Sequence, residues 1–143
     1  MISHLFLDVD GVCNNTLTET WFDPFNMANL KNLHTLLGEP KIVLSSDWRR
    51  TSNNLEEARA NLAAIGLEIF ACTPCHTSVL ERADEITEWL ADNEHETCII
   101  LDDMSADFVD PELPNVFFFK TDHQFGLTED NVDFIVNHLR ELK

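Results

Sequence analysis

The chain has 143 residues, with 26 Asp and Glu against 9 Lys and Arg, a formal charge of −17. That balance excludes a surface gripping bulk duplex nucleic acid through clustered Lys and Arg, while a 44% hydrophobic share with ten Phe excludes disorder. The length predicts one domain over residues 1–143; no apolar run approaches the ~20 residues of a membrane span, and Met1-Ile2-Ser3-His4 enters a strand-like run with no export leader, so a cytoplasmic chain is expected.

Strand-like and helix-like stretches alternate along the chain. His4 to Val9 is an apolar strand, followed by an irregular polar stretch at 13–24. Leu30, Leu33, Leu36 and Leu37 share one face of a helix over Phe25 to Leu37, with Gly38 as its C-cap. Lys41 to Ser46 reads as the second strand, and a helix capped by Ser52 or Asn53 carries Leu55, Ala58, Leu62 and Ile65 to Gly66. A third strand over Leu67 to Ala71, a helix over Val79 to Leu90, strands over Thr97 to Leu101 and Val116 to Phe119, and a helix over Thr128 to Leu142 complete the order. Wholly apolar strands separated by helices predict a doubly wound, Rossmann-like parallel α/β sheet of about five strands with helices on both faces.

In such a sheet the ligand sits beyond the carboxyl ends of the strands, where strand order reverses. Asp8 and Asp10, Ser45 and Ser46, and Asp102 and Asp103 all follow strands, so one edge receives hydroxyls and carboxylates. A carboxylate at the end of a buried strand is partly desolvated and needs a partner. Lysines are scarce nearby, and a hard divalent cation is the economical choice. Magnesium takes oxygen ligands and keeps several waters, so Asp8 and Asp10 with Asp102 and Asp103 suffice. Arg49 and Arg50 follow the serine strand, either as solvated residues or as the nearest spare cations for an anionic substrate. Trp48 and Trp89 read as packing residues rather than substrate contacts. Cys72-Thr73-Pro74-Cys75-His76 matches the haem-attachment pattern and half of a zinc site, which Cys98 or His95 would extend; it reads first as a loop with two incidental reduced thiols.

FLDVDGV at 6–12, VLSSDWR at 43–49, the Arg82 helix and IILDD at 99–103 resemble, in order, the four motifs of the haloacid dehalogenase (HAD) superfamily. SSDWR, Arg82-x-x-Glu85-Ile86-x-x-Trp89-Leu90, ILDD and Gly126-Leu127-Thr128 together resemble the small HAD-like domains of "Swiss army knife" RNA-repair proteins, which have essentially no cap domain. The resemblance implies that Asp8 is a nucleophile forming an aspartyl-phosphate and that Asp10 is general acid and then general base. Ser45, with Ser46 as fallback, would bond a phosphoryl oxygen. Arg82 would pair with the phosphoryl group and Asp8, unless it is a surface residue paired with Glu81 or Glu85. Magnesium would be held by the Asp8 carboxylate, the Asp10 main-chain carbonyl and Asp103, with Asp102 beside it. Asp107 fits either an extended form of that motif or a solvated loop.

The expected activity is hydrolysis of a phosphomonoester on a phosphorylated small molecule or a nucleic-acid end, at a site covered by no more than a short flap from residues 13–24. Two other readings are a HAD-fold metal-binding or regulatory module with little turnover and a haem or zinc protein built on residues 72–76.

Overall fold

The computed structural model describes residues 1–75, 82–104 and 114–142, with the backbone alone for Arg82 and Ala83. Along the chain run β1 (Ile2–Leu7), α1 (Pro24–Leu36), β2 (Lys41–Leu44), a 3-10 turn (Asp47–Arg50), α2 (Ser52–Ala63), β3 (Ile69–Cys72), α3 (Arg82–Asp92), β4 (Thr97–Asp102), β5 (Val116–Lys120) and α4 (Glu129–Glu141). The five strands form one parallel sheet in the order β3-β2-β1-β4-β5. This is the predicted α/β sheet, without a cap: only residues 8–23 separate β1 from α1.

Alternation along the strands divides the apolar residues between two cores. Leu5 and Leu7 of β1, Ile42 and Leu44 of β2, and Ile99 and Leu101 of β4 pack with residues of α1, α2 and α4. On the other face Phe6, Val43 and Ile100 pack with Ile86, Trp89 and Leu90 of α3. Trp89 stands edge-on to Phe6 at 5.4 Å between ring centroids, a geometry favoured by the ring quadrupoles.

Several element ends differ from the sequence pattern for local reasons. β1 stops at Leu7 rather than Val9, because Val9 already accepts the turn bonds from Val12 and Cys13. β2 stops at Leu44 because the Ser46 hydroxyl caps the 3-10 turn, accepting from Trp48 N at 3.2 Å. Leu67 closes the turn that follows α2, its N–H donating to Leu62 O, so β3 begins at Ile69. Helix α1 starts where Asp23 caps it and Pro24 fills the first turn. The predicted start of α3, Val79, lies outside the described residues.

The flap after β1 is tied down from below by Asn26. This buried amide donates to Phe125 O and Leu127 O, both at 2.9 Å, and accepts from Asn15 Nδ2 at 2.8 Å. Gly126 makes the contact possible, since a Cβ there would sit 2.6 Å from Asn26 Oδ1 and from Asn14 O. Asn26→Ala strands buried polar partners and is expected to cost about 2–3 kcal/mol in urea unfolding. Asn29→Ala, whose bond to Leu127 O duplicates one from Asn26, is expected to cost well under half of that.

Candidate active site

Strand order reverses between β1 and β4, so the cleft at the switch point lies where those strands end. Leu7 is in register with Leu44 of β2 and Leu101 of β4. The next residues, Ser45, Asp8 and Asp102, therefore lie abreast with Asp8 in the middle. Backbone bonds hold that order: Ser45 N donates to Leu7 O and Asp8 N to Leu101 O, each at 3.1 Å. By alternation the three side chains leave on the face that packs against α3, two residues beyond Phe6, Val43 and Ile100.

The carboxylates of Asp8, Asp102 and Asp103 each place an oxygen within 4.8 Å of the other two. Asp8 and Asp102 are buried, at 2% and 0% exposure. Burial, and then Asp102 beside it, push the Asp103 carboxyl above the ordinary aspartate range, against a lowering contribution from Asp8. Gly11, at φ +81°, allows the β1 loop to lie against Asp103; a Cβ at that position would sit 2.6 Å from Asp103 Cγ. The Thr121 hydroxyl, just past the end of β5, fixes the same loop, donating to Gly11 O at 2.6 Å. A desolvated cluster of hard oxygen donors fits a small divalent cation such as magnesium, and among the described residues no other group of three ligating side chains converges.

Asp10 stands apart from that cluster. It is exposed, and its Oδ1 accepts from Asn14 Nδ2 at 3.0 Å and from Trp48 Nε1 at 3.1 Å. Trp48 is itself packed edge-on by Trp21 and Phe22 of the flap. It is thus a packing residue, as expected, but also the donor that aims Asp10. Beneath the loop, burial and then the charges of Asp8 and Asp10 push the Cys13 thiol strongly up, which leaves it no use as a nucleophile. Asp10 and Asp103 share the wall of a cleft of about 340 Å³ with the flap. An apolar groove of about 490 Å³ at the amino ends of the strands contains no carboxylate.

Residues 4–132 match the family described as the HAD domain in Swiss Army Knife RNA repair proteins. The chain belongs to this family. Comparison with curated proteins and with solved structures finds no match. Membership makes the chain a HAD-type domain of the hydrolase class, and HAD domains generally use magnesium, in keeping with the three-aspartate cluster. No helix among the described residues is long and apolar enough to cross a membrane.

Within this HAD domain the remaining predicted site residues fall in different places. Ser45 is buried, its hydroxyl donating to Leu7 O at 3.3 Å beside Asp8. Ser46 spends its hydroxyl on capping the 3-10 turn. Arg82 opens α3 at the carboxyl edge of the sheet, with its side chain outside the described residues, and Asp107 and His76 lie outside them altogether. Cys98 is buried against Ser3, at the opposite end of β4 from the carboxylates.

Arg49 overturns the expectation that it serves an anionic substrate. Its Nε donates to Thr73 O, Nη1 to Ser45 O and Ser46 O, and Nη2 to Pro74 O and Glu85 Oε1, the last at 2.7 Å. All five N–H groups are spent inside the chain, and neither side chain of the Arg49–Glu85 pair has exposed area. Arg49 therefore clamps the loops after β2 and β3 to the first turn of α3, the helix that begins with Arg82.

Truncating one partner of a buried pair strands the other's charge. Glu85→Ala is expected to lower unfolding free energy by about 3–5 kcal/mol, with Glu85→Gln milder, and Arg49→Lys is expected to fail as a replacement because a single ammonium cannot span five acceptors; urea titrations read all three. Asp103 gives a second test. A carboxyl raised in the folded state stabilises at acid pH and loses that contribution as pH climbs through its folded pKa. At neutral pH without metal, Asp103→Asn is therefore expected to raise the melting temperature. The same change is expected to remove most of the stabilisation by magnesium, which for a single site reaches about 2.7 kcal/mol at a hundred times Kd.

Proposed function

We propose that this HAD domain is a magnesium-dependent phosphatase that hydrolyses a phosphomonoester through an aspartyl-phosphate on Asp8. The observation that carries this reading is the contrast between two carboxylates two residues apart. Asp8 is buried between Ser45 and the β4 aspartates, whereas Asp10 is exposed and aimed by Trp48 and Asn14. Paired carboxyl groups in different environments can divide nucleophile and acid–base work.

In the first step a carboxylate oxygen of Asp8 attacks phosphorus, and the bond to the ester oxygen breaks as that oxygen takes a proton from Asp10. Water then attacks the phosphoryl group of the acyl phosphate and gives its proton to Asp10. Asp8 leaves as carboxylate, and inorganic phosphate is released. The nucleophile is ionised already, so no separate base is needed to activate it. Ser45 would turn its hydroxyl from Leu7 O to a phosphoryl oxygen. Arg82, at the start of α3, would meet the phosphoryl charge, with the Arg49–Glu85 clamp setting the helix in place. Asp8, Asp103, the Asp10 carbonyl and neighbouring Asp102 would hold magnesium, which when bound offsets phosphoryl negative charge. The substrate is a phosphorylated small molecule or a nucleic-acid end, the latter suggested by the RNA-repair setting in the family's description.

The test is turnover of an aryl phosphate with magnesium, together with acid-quench trapping of the phosphoenzyme. Asp8→Asn is expected to abolish both turnover and the trapped intermediate. Asp10→Asn is expected to slow turnover by ~10²–10⁴-fold, less so with a leaving group that needs no proton, while magnesium affinity stays close to that of the parent. Magnesium binding without turnover in the parent chain would favour a metal-binding module instead.

A further inference from the structure

The cleft beside Asp10 decides what can leave. We infer that it is the leaving-group subsite and that it takes an uncharged, hydroxyl-bearing group, selecting substrates whose only phosphate is the one removed. This rests on the phosphatase reading and narrows it toward the small-molecule arm.

Position supplies the first argument. Asp10 must reach the ester oxygen to protonate it, so the leaving group has to occupy the space that Asp10 lines, and Asp103 marks the phosphoryl side of that space. Composition supplies the second. Asn14 and Asn15 give the wall its shape, bonding Asp10, Trp21 O, Asn26 and the backbone of Leu17 and Thr18. The Thr18 hydroxyl is also engaged within the flap, donating to Asp23 Oδ2 at 3.2 Å and lying 3.3 Å from Thr20 Oγ1. Hydrogen bonding toward a ligand then falls to the hydroxyl of Thr16 and the remaining capacity of Thr20. Trp21, 64% exposed, offers a flat apolar wall for the C–H face of a sugar or for a nucleoside.

Charge supplies the third argument and the exclusion. The lining contains Asp10, Glu19 and Asp103 and no Lys or Arg, with His123 as its single base. The cations that follow β2 and end β5 do not enter the lining. Arg49 is spent inside, and Arg50 engages Asp47 and Glu85. Lys120 is the register neighbour of Asp102 on the edge strand and does not line the cleft. Residues 76–81 and 105–113 contain no Lys or Arg in their sequence. Under the phosphatase reading Arg82 serves the phosphoryl group, and among the described residues lining the cleft His123 is the one basic side chain that could meet a second phosphate. That phosphate would enter among like charges in a chain of net charge −17. A volume of about 340 Å³ suits one sugar or nucleoside unit.

The experiment compares kcat/KM, with magnesium, for matched pairs: fructose 6-phosphate against fructose 1,6-bisphosphate, and adenosine 5′-monophosphate against adenosine 3′,5′-bisphosphate, with p-nitrophenyl phosphate as the reference. The monophosphate is expected to be preferred by about 10²-fold or more in at least one pair, and the pair that shows it identifies the skeleton. Glu19→Lys, an exposed flap position, is expected to shrink that ratio about tenfold. Trp21→Ala is expected to raise KM for the preferred monophosphate more than for p-nitrophenyl phosphate. Equal or better turnover of the bisphosphates, in a chain that hydrolyses p-nitrophenyl phosphate, overturns the inference and leaves the phosphatase reading intact. No hydrolysis of any of these esters overturns both.

Discussion

Three carboxylates held within 4.8 Å of one another at the end of a buried strand pair are the constraint on which this molecule turns. The fold does not choose their positions freely. A parallel sheet whose order reverses between β1 and β4 presents the ends of exactly those strands to one cleft, and the register sets Asp8 abreast of Asp102. Much of the surrounding structure keeps the repelling groups from moving apart. Gly11 lets the β1 loop press on Asp103, Thr121 pins that loop from just past the end of β5, and Met104 N donates to Asp102 Oδ1 at 3.1 Å. The clustered like charges repel one another, and under the proposed function a divalent ion would relieve that repulsion.

A second buried charge system answers a different need. Helix α3 alone among the four described helices contributes to the core on its face of the sheet. Apolar packing through Ile86, Trp89 and Leu90 fixes the helix against the sheet but leaves its sliding and rotation less defined. The Arg49–Glu85 pair supplies direction: one planar guanidinium reads four carbonyls and one carboxylate from three chain segments. Its stability benefit is modest against an apolar alternative, while its specification of position is strong.

The strands, the helix faces and the Asp–Ser–Asp edge were legible in the sequence because each depends on periodicity or on chain position after a strand. Arg49 was not. An arginine after a strand looks like a substrate cation, and what distinguishes it is a partner 36 residues away in sequence. A signal did exist: Glu85 directly precedes Ile86 on the face of α3 that carries Trp89, and a carboxylate on an apolar face calls for a buried cation. The aiming of Asp10 by Trp48 and Asn14 was also hidden, since a tryptophan indole N–H is indistinguishable by pattern from ordinary packing. The bonds of Asn26 and Asn15 were silent for the same reason, and Gly126, legible only as part of the Gly126-Leu127-Thr128 motif, gave no sign of the close approach that it allows; these contacts connect segments that only the finished fold brings together.

The aromatic arrangement carries an optical consequence. The chain has three tryptophans and no tyrosine. Trp21 lines the cleft and Trp48 donates to Asp10, whereas Trp89 is buried against Phe6 on the far side of β1. Near-ultraviolet absorption and emission therefore arise from two indoles at the site and one in the core. Trp21 and Trp48 lie 5.8 Å apart between ring centroids, close enough for their transitions to couple. Two of the three indoles, and with them most of the near-ultraviolet absorption of the molecule, thus belong to the flap and the acid that it positions.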